Sequence, residues 1–235
     1  MENRSRVLLG AAMIAVGLLS LMCMGMTALL GLNPLGFLWR FWPVLVIGVG
    51  LLFVAPPLLV RGNRGLGALF IPGLPILTTG GMLLLASVFD AWNVWAWLWP
   101  MELISLATGF ILAGLYMRLV WFLIPATIIG LNGLVFQFCA ITGLWSWWSV
   151  LWAVEPLSVG LALLLTGALT HSRGLVTAGL ILCAIGGLGL SLMVTFVGEW
   201  WPLRLVGPAL LILAGLTVVG WAWIRPRVPL GAPAE

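Results

Sequence analysis

Long apolar runs recur along the whole chain, and they restrict the fold more than any other feature. A run of about 18 or more apolar residues is long enough to cross a hydrocarbon layer roughly 30 Å thick as a helix. Only 7% of the 235 residues are charged and 63% are hydrophobic, whereas about a quarter of the residues in soluble domains are charged. The sequence therefore predicts an all-α, polytopic membrane protein.

The runs predict eight transmembrane helices joined by short loops. Their expected bounds are 7–30, 41–60, 66–89, 98–117, 119–141, 149–170, 175–197 and 200–224. The first run follows Arg4 and Arg6 in the manner of a signal peptide, but it extends from Val7 to Leu30. This is longer than the roughly 7–15 apolar residues of a cleaved signal. We expect it to remain as a membrane helix.

The charged residues between the runs are sorted by sign. One side of the predicted membrane region holds eight arginines: Arg4, Arg6, Arg61, Arg64, Arg118, Arg173, Arg225 and Arg227. The other side holds four acids and two arginines: Asp90, Glu102, Glu155, Glu199, Arg40 and Arg204. Because arginine-rich loops stay in the cytoplasm, both termini are predicted to be cytoplasmic and the protein to be a multi-pass protein of the cell membrane.

The loop residues return at nearly regular intervals. Intervals of 52–58 residues separate Arg6, Arg64, Arg118, Arg173 and Arg225, and intervals of 46–57 residues separate Pro43, Pro100, Pro156 and Pro202. Periods of this size indicate internal repeats. We predict four helical hairpins within one membrane domain, at residues 1–60, 61–117, 118–172 and 173–227, followed by a short cytoplasmic tail at 228–235.

Trp and Pro occur together where the second helix of a hairpin begins, as in "FWPVLVIGVGLLFV" and "WLWPMELISLATGFILAGL". The indole has an apolar ring and an N–H donor, which suit the boundary between headgroups and hydrocarbon. Pro suits the first position of a helix, where no N–H donor is needed. These pairs are therefore predicted to mark the outer boundary of the membrane.

An arginine-flanked "GLxxxxxG" helix, a Trp-rich turn and a "WPxxxIxxGxxL" helix resemble the LiaI/LiaF-like transmembrane region of bacterial envelope proteins. The stretches that carry the resemblance are "FWPVLVIGVGLLFV" and "RGLGALFIPGLPILTTGGMLLL" through "WLWPMELISLATGFILAGL". It implies a cell-membrane protein linked to envelope-stress signalling or complex formation. LiaF-like proteins carry a soluble C-terminal domain after the spans, whereas this chain ends eleven residues past Ile224, so signalling through that domain is not expected.

Two polar features inside the spans are candidate site residues. Glu102 and Arg204 each stand two residues past a Trp–Pro pair. Glu102 is either a first-turn carboxylate favoured by the helix dipole or the partner of Arg204 in an ion pair between repeats. Asn132 is expected at membrane depth, where an amide bonds across helices or contacts a substrate.

Prolines within the spans are candidates for a kink or a cavity, because a helix-interior proline bends the helix and frees a carbonyl. They are Pro72, Pro75 and Pro125, and Asn132 is a further candidate to line such a cavity. A packing kink and a broken-helix binding site are both compatible with the pattern.

The sequence offers little that indicates catalysis or cofactor binding. His171 is the single histidine, and a zinc site needs three or four protein ligands. Cys23, Cys139 and Cys183 have no CxxC spacing, so they read as small packing residues. No P-loop, HExxH or GxSxG motif occurs, and the arginines form no contiguous basic face for nucleic acid. We predict no enzyme activity, cofactor or nucleic-acid partner.

The remaining hypotheses concern contacts within the membrane. We expect a non-enzymatic scaffold, accessory or envelope-sensing subunit that acts through helix–helix contacts with lipid and with another membrane protein or a second copy. The alternatives are a transporter or flippase for a neutral or lipid-like substrate, and a subunit of a larger energy-transducing complex.

Overall fold

A computed structural model describes residues 2–30, 34–60 and 62–197, together with Leu205, Pro208, Ala209 and Ile212. The secondary structure of these residues is helical, with no strand among them. The helices are α1 (Glu2–Leu30), α2 (Pro34–Trp39), α3 (Pro43–Leu59), α4 (Phe70–Val88), α5 (Trp95–Leu98), α6 (Met101–Met117), α7 (Leu123–Thr142), α8 (Trp148–Leu151), α9 (Val154–Thr170) and α10 (Arg173–Val197). Short 3-10 helices precede α4, α5, α7 and α8.

Four segments of the described chain are long and apolar enough to cross a membrane as single helices: Gly36–Leu59, Arg64–Val88, Val120–Thr142 and Arg173–Thr195. Two further segments are bent pairs, α5 with α6 at 58° and α8 with α9 at 55°. The described residues thus contain four candidate spans, or six if each bent pair is one span. The all-helical membrane architecture agrees with the sequence.

The first and last predicted spans stand apart from these six. Span 7–30 falls on α1, whose shorter apolar part is Met13–Leu29. Span 200–224 lies outside the described residues except for the four named above. The predicted tail, 228–235, also lies outside them.

The bends have a local cause in the sequence. Proline has no N–H, and its ring clashes with the carbonyl four residues earlier. Pro100 therefore prevents α5 from continuing into α6, and Pro156 prevents a continuous helix through Trp152. The predicted spans 98–117 and 149–170 overlap these two bent pairs, and each pair turns at its Trp. In α3, by contrast, Pro43 occupies the start of the helix, as expected.

The long helices pack as an antiparallel series in chain order. The contacts join α3 to α4, α4 to α6, α6 to α7, α7 to α9 and α9 to α10. The described part of α1 after Met13 is almost entirely exposed, with Cys23 as its buried residue. The core therefore lies along the seams between successive helices, while broad apolar surfaces face outward.

Two stretches of the chain have nearly the same helix lengths at a constant offset. Helices α6 and α9 both contain 17 residues and begin 53 positions apart. The starts of α4 and α7, and of α5 and α8, are also 53 positions apart. At this offset Trp99–Pro100 corresponds to Trp152–Ala153, and both Pro100 and Ala153 are buried. Pro156, which the sequence analysis grouped with Pro100, lies one turn beyond the equivalent position.

Candidate functional site: glycine contacts and polar pairs between helices

Three glycines, each 53 positions from the next, bring successive helices into close contact. They are Gly80 on α4, Gly133 on α7 and Gly186 on α10. A Cβ atom built on Gly80 would lie 2.9 Å from the backbone nitrogen of Ile47 on α3. The corresponding distances are 3.1 Å from Gly133 to Ile104 and 2.9 Å from Gly186 to Leu157. The first helix of each of these predicted hairpins thus approaches the last helix of the preceding hairpin at a glycine, where a Cβ would be in tight contact with the neighbouring backbone.

Small residues on both sides of these seams make further close contacts. A Cβ on Gly50 would lie 2.9 Å from the Leu77 nitrogen, and a Cβ on Gly160 would lie 2.7 Å from the Cys183 nitrogen. Between them in the series, a Cβ on Gly130 would lie 3.2 Å from the Ala107 side chain. Small residues of this kind permit the close backbone approach on which helix association in lipid depends.

A hydrogen bond joins α4 to the first turn of α6. The Thr79 hydroxyl donates to Oε1 of Glu102 over 2.7 Å. The Ser105 hydroxyl donates to the Glu102 carbonyl oxygen at 2.9 Å, within α6. The carboxylate therefore has a partner on the neighbouring helix of its own predicted hairpin.

The same arrangement occurs 53 residues later, between α7 and α9. The Asn132 amide donates to Oε2 of Glu155 over 3.2 Å and to the Ile128 carbonyl over 3.0 Å. The Ser158 hydroxyl donates to the Glu155 carbonyl at 2.8 Å. Asn132 thus bonds across helices, which was one of its two expected roles. Two acids at equivalent positions of α6 and α9 each bind a polar side chain of the preceding long helix.

Gln137 connects α7 to the bend between α5 and α6. Its amide nitrogen donates to the Trp97 carbonyl at 2.8 Å, near the end of α5, where helix carbonyls lack an intrahelical donor. Its Oε1 atom is buried without a hydrogen-bond partner. The Gln137 side chain thus stabilises the bend through its amide nitrogen, while its Oε1 atom accepts no hydrogen bond.

An aromatic cluster packs beside the two bends. The Trp99 ring stacks on Trp145 at a centroid distance of 6.2 Å, and Phe136 lies 5.4 Å from Trp99 and 5.2 Å from Trp148. Offset ring pairs of this kind each contribute about 0.5–1.5 kcal/mol beyond area burial. The cluster links the bend at α6 to α7 and to the turn before α9.

At the other end of the long helices, where α6 and α9 end, a different set of residues makes the contacts. The Tyr116 hydroxyl donates to the Val60 carbonyl at 3.3 Å, and the Cβ position of Gly67 lies 2.8 Å from the Tyr116 and Met117 side chains. Arg118 ends α6 and His171 ends α9, both with left-handed backbone at φ 58° and 56°. These two residues are also 53 positions apart, so His171 occupies a helix-terminal position equivalent to that of Arg118.

The candidate residues from the sequence have separate locations. Glu102 binds Thr79, while Arg204 lies outside the described residues, so their ion pair stays a prediction. Pro72 and Pro125 occupy the third positions of α4 and α7, where the absence of an N–H costs no helical bond. Helix α4 continues through Pro75 without a break.

The sequence analysis missed the contacts of Gly80, Gly133 and Gly186 and the role of Glu155. The 53-residue spacing of Gly80, Gly133 and Gly186 was a detectable signal. The sequence did not show which glycine of an adjacent pair faces the neighbouring helix. Gly81 and Gly187, next to Gly80 and Gly186, have open space at the Cβ position.

Within the described part of the chain, no three His, Cys, Asp or Glu side chains lie close enough together to hold a metal ion. A scan against protein-family models finds no match, and searches of curated proteins and of solved structures find none either.

Proposed function

We propose that this protein is a non-enzymatic scaffold or accessory subunit of the cell membrane, built from eight spans in four hairpins, and that it acts through its helix faces. In this proposal both termini are cytoplasmic and the Trp–Pro pairs lie at the outer boundary. Its expected partners are lipid and another membrane protein or a second copy. The proposal keeps the LiaI/LiaF-like resemblance as a guide to an envelope-related role.

The observation that carries the proposal is the use made of polar groups within the apolar helices. Ionisable groups in a membrane are costly and usually belong to a substrate or ion pathway. Here the carboxylates of Glu102 and Glu155 accept hydrogen bonds from Thr79 and Asn132 on adjacent helices. Such bonds stabilise helix association by about 0.6–2 kcal/mol. Polar chemistry of this kind favours a role in holding helices together.

The seam between α6 and α7 supports the same conclusion. It lies between the second and third predicted hairpins, where a transporter of this design would need a polar cavity. Gly133 and Gly130 instead bring α7 against Ile104 and Ala107 at Cβ distances of about 3 Å. A seam packed this closely leaves no room for a solvated path between the two helices at that depth.

The repeat proposal rests on the constant offset between the two described hairpins and on the loop arginines. The contacts at Gly80, Gly133 and Gly186 extend the offset to α10. The pair Trp201–Pro202 supplies the expected start of a last returning helix. With an even number of spans the two termini lie on the same side, in agreement with the distribution of arginine.

Purification from its own membranes in a mild detergent tests the functional proposal. We expect the full-length protein to travel with a stoichiometric membrane protein or as an oligomer, identified by mass spectrometry and by mass of the intact complex. A monomer that carries only lipid would overturn the scaffold role. A coloured cofactor or a set of respiratory or photosynthetic subunits would favour the energy-transducing alternative.

A transporter or flippase is the second candidate. The bent pairs at Pro100 and Trp152 favour it, because interrupted helices form the binding sites of many transporters. The unpartnered acceptor of Gln137 beside the first bend is consistent with it. Transport of a lipid-like fluorophore into proteoliposomes by the purified protein would support this alternative over the scaffold.

A further inference from the structure

Two arginines flank the junction at which α6 ends. Arg118 directly follows α6, and Arg64 begins the 3-10 helix Arg64–Leu69 that precedes α4. The two elements are in contact, because a Cβ on Gly67 would lie 2.8 Å from the Met117 side chain. Both arginines are exposed, and their guanidinium groups make no hydrogen bond or ion pair with any described residue. The junction therefore carries two positive charges that the described part of the chain does not neutralise.

The acidic side chains that the structure describes lie at the opposite end of the helices. Glu102 and Glu155 stand in the first turns of α6 and α9, and Asp90 follows α4. Helix α6 has 17 residues and is about 25 Å long, and Arg118 stands at its far end. These acids are therefore too distant to form an ion pair with the two arginines.

Arg118 also has a backbone conformation that favours glycine. Its φ of 58° is left-handed, and so is the φ of 56° at His171, which ends α9 at the equivalent position. After α7, Gly143 holds a left-handed conformation with φ of 73°. A side chain at such a position costs conformational energy that glycine avoids, and residues held in this way cluster at functional sites. The basic residues that end α6 and α9 thus occupy positions where glycine would be less strained.

Exposed apolar side chains lie next to Arg118 in the chain. Leu115 precedes it by three residues on α6, and Leu119 and Trp121 follow it in the connection to α7. A water-soluble anion gains little from such neighbours. A phospholipid, by contrast, places its phosphate at the membrane boundary and its acyl chains along the adjacent apolar surface. Charge and apolar surface together therefore favour a lipid over a soluble anion.

We propose that Arg64 and Arg118 bind the phosphate of an anionic phospholipid, whose acyl chains pack along Leu115, Leu119 and Trp121. The guanidinium group has N–H donors in a planar fork that matches the oxygens of a phosphate. Two arginines without an acid favour a headgroup with net negative charge over a zwitterionic one. This inference rests on the membrane location and lipid partner of the proposed function, and it adds the class of lipid and the residues that bind it.

Native mass spectrometry of the full-length protein in detergent tests the inference. Dioleoylphosphatidylglycerol and dioleoylphosphatidylcholine have the same acyl chains and differ in headgroup charge, so their dissociation constants are compared by titration. One arginine near an anionic lipid surface changes the affinity about fivefold. With two arginines, we expect phosphatidylglycerol to bind roughly 20-fold more tightly than phosphatidylcholine.

The variant Arg118→Gly separates lipid binding from folding. Glycine relieves the left-handed strain, so the variant should be at least as stable as the parent chain, while its affinity for phosphatidylglycerol should fall about fivefold. Arg64→Gln should cause a similar fall, and it tests the second arginine without a change in the left-handed backbone. Arg40→Gln is the matched control, because Arg40 is an exposed arginine that lies near the start of α3, away from this junction, and its loss should leave the affinity unchanged.

Any of three results with the lipids would overturn the inference. They are equal affinities for the two lipids, an unchanged affinity for phosphatidylglycerol in Arg118→Gly and Arg64→Gln, and an equal loss in Arg40→Gln, which would indicate a general effect of charge. Binding of glycerol 3-phosphate as tight as that of the lipid would make a soluble anion the occupant and would also overturn it. Purification of the protein without a stoichiometric partner would instead contradict the scaffold role and leave the lipid measurement intact.

Discussion

Replacing Gly80 by alanine tests whether the glycine contacts determine the packing of the helix series. The new Cβ would lie 2.7 Å from Cγ1 and 2.9 Å from the backbone nitrogen of Ile47. Optimal heavy-atom contacts are about 3.5–4.0 Å, so α3 and α4 must separate by roughly 0.6 Å. A gap of that size forfeits about a quarter to a half of the attraction of each neighbouring contact. Because the obstructing atom is backbone, rotation of a side chain cannot relieve the clash.

The adjacent glycine provides a matched control. Gly81 has open space at its Cβ position, so Gly81→Ala should gain the helix-propensity advantage of alanine, at most about 1 kcal/mol. Gly80→Ala has the same advantage but incurs an overpacking cost of about 1–3 kcal/mol. We expect the free energy of unfolding of Gly80→Ala to lie about 1–3 kcal/mol below that of Gly81→Ala.

The assay is reversible unfolding in mixed micelles with an increasing fraction of sodium dodecyl sulfate. The signal is the fluorescence of the 15 tryptophans. Equal stability of the two variants, or a more stable Gly80→Ala, would refute the claim that this seam is limited by backbone contact. Gly186→Ala with Gly187→Ala repeats the comparison on α10, since Gly187 also has open space at its Cβ position.

Two further predictions concern the polar pairs and the turns. Thr79→Val should lower the free energy of unfolding by about 1 kcal/mol, because Glu102 loses its hydrogen-bond donor on α4. Thr108→Val should change the free energy of unfolding little, since Thr108 is exposed and bonds only within α6. Equal effects of the two substitutions in the same micelle assay would contradict the interhelical role of Thr79. Asp90 and Gly143, which lie 53 residues apart, both have a left-handed backbone, with φ of 51° and 73°. Because glycine adopts this conformation without strain, Asp90→Gly should stabilise the protein by up to about 1 kcal/mol and Gly143→Ala should destabilise it by about 1–2 kcal/mol. A loss of stability in Asp90→Gly would contradict the equivalence of the two turns.

The sequence was sufficient to predict the helices and four to six of the spans, because these depend on local composition. The hydrophobic length of a run and the backbone limits of proline do not require knowledge of the neighbouring helix. Asn132 was also correctly expected among the residues that bond across helices, since an amide at membrane depth needs a partner. Its partner, Glu155, was placed at the outer boundary only.

The register of the repeat was harder to predict, because prolines are conspicuous and buried small residues are not. Pro156 was grouped with Pro100, but the buried position after Trp152 is held by Ala153. The buried position that follows Trp99 or Trp152 requires a compact side chain, and both Pro100 and Ala153 are compact. Which glycine of a pair such as Gly80 and Gly81 faces a neighbour depends on helix rotation, which the uniform apolar pattern leaves undetermined.

The central claim is a chain that crosses the membrane repeatedly, with its arginines on the inner side and its Trp–Pro turns on the outer side. Cysteine labelling of intact cells tests it most directly, using variants that lack the three native cysteines and carry either Arg64→Cys or Glu199→Cys. A membrane-impermeant maleimide should label the variant at 199 in intact cells and the variant at 64 only after permeabilisation. Labelling of both positions from the same side would contradict the account.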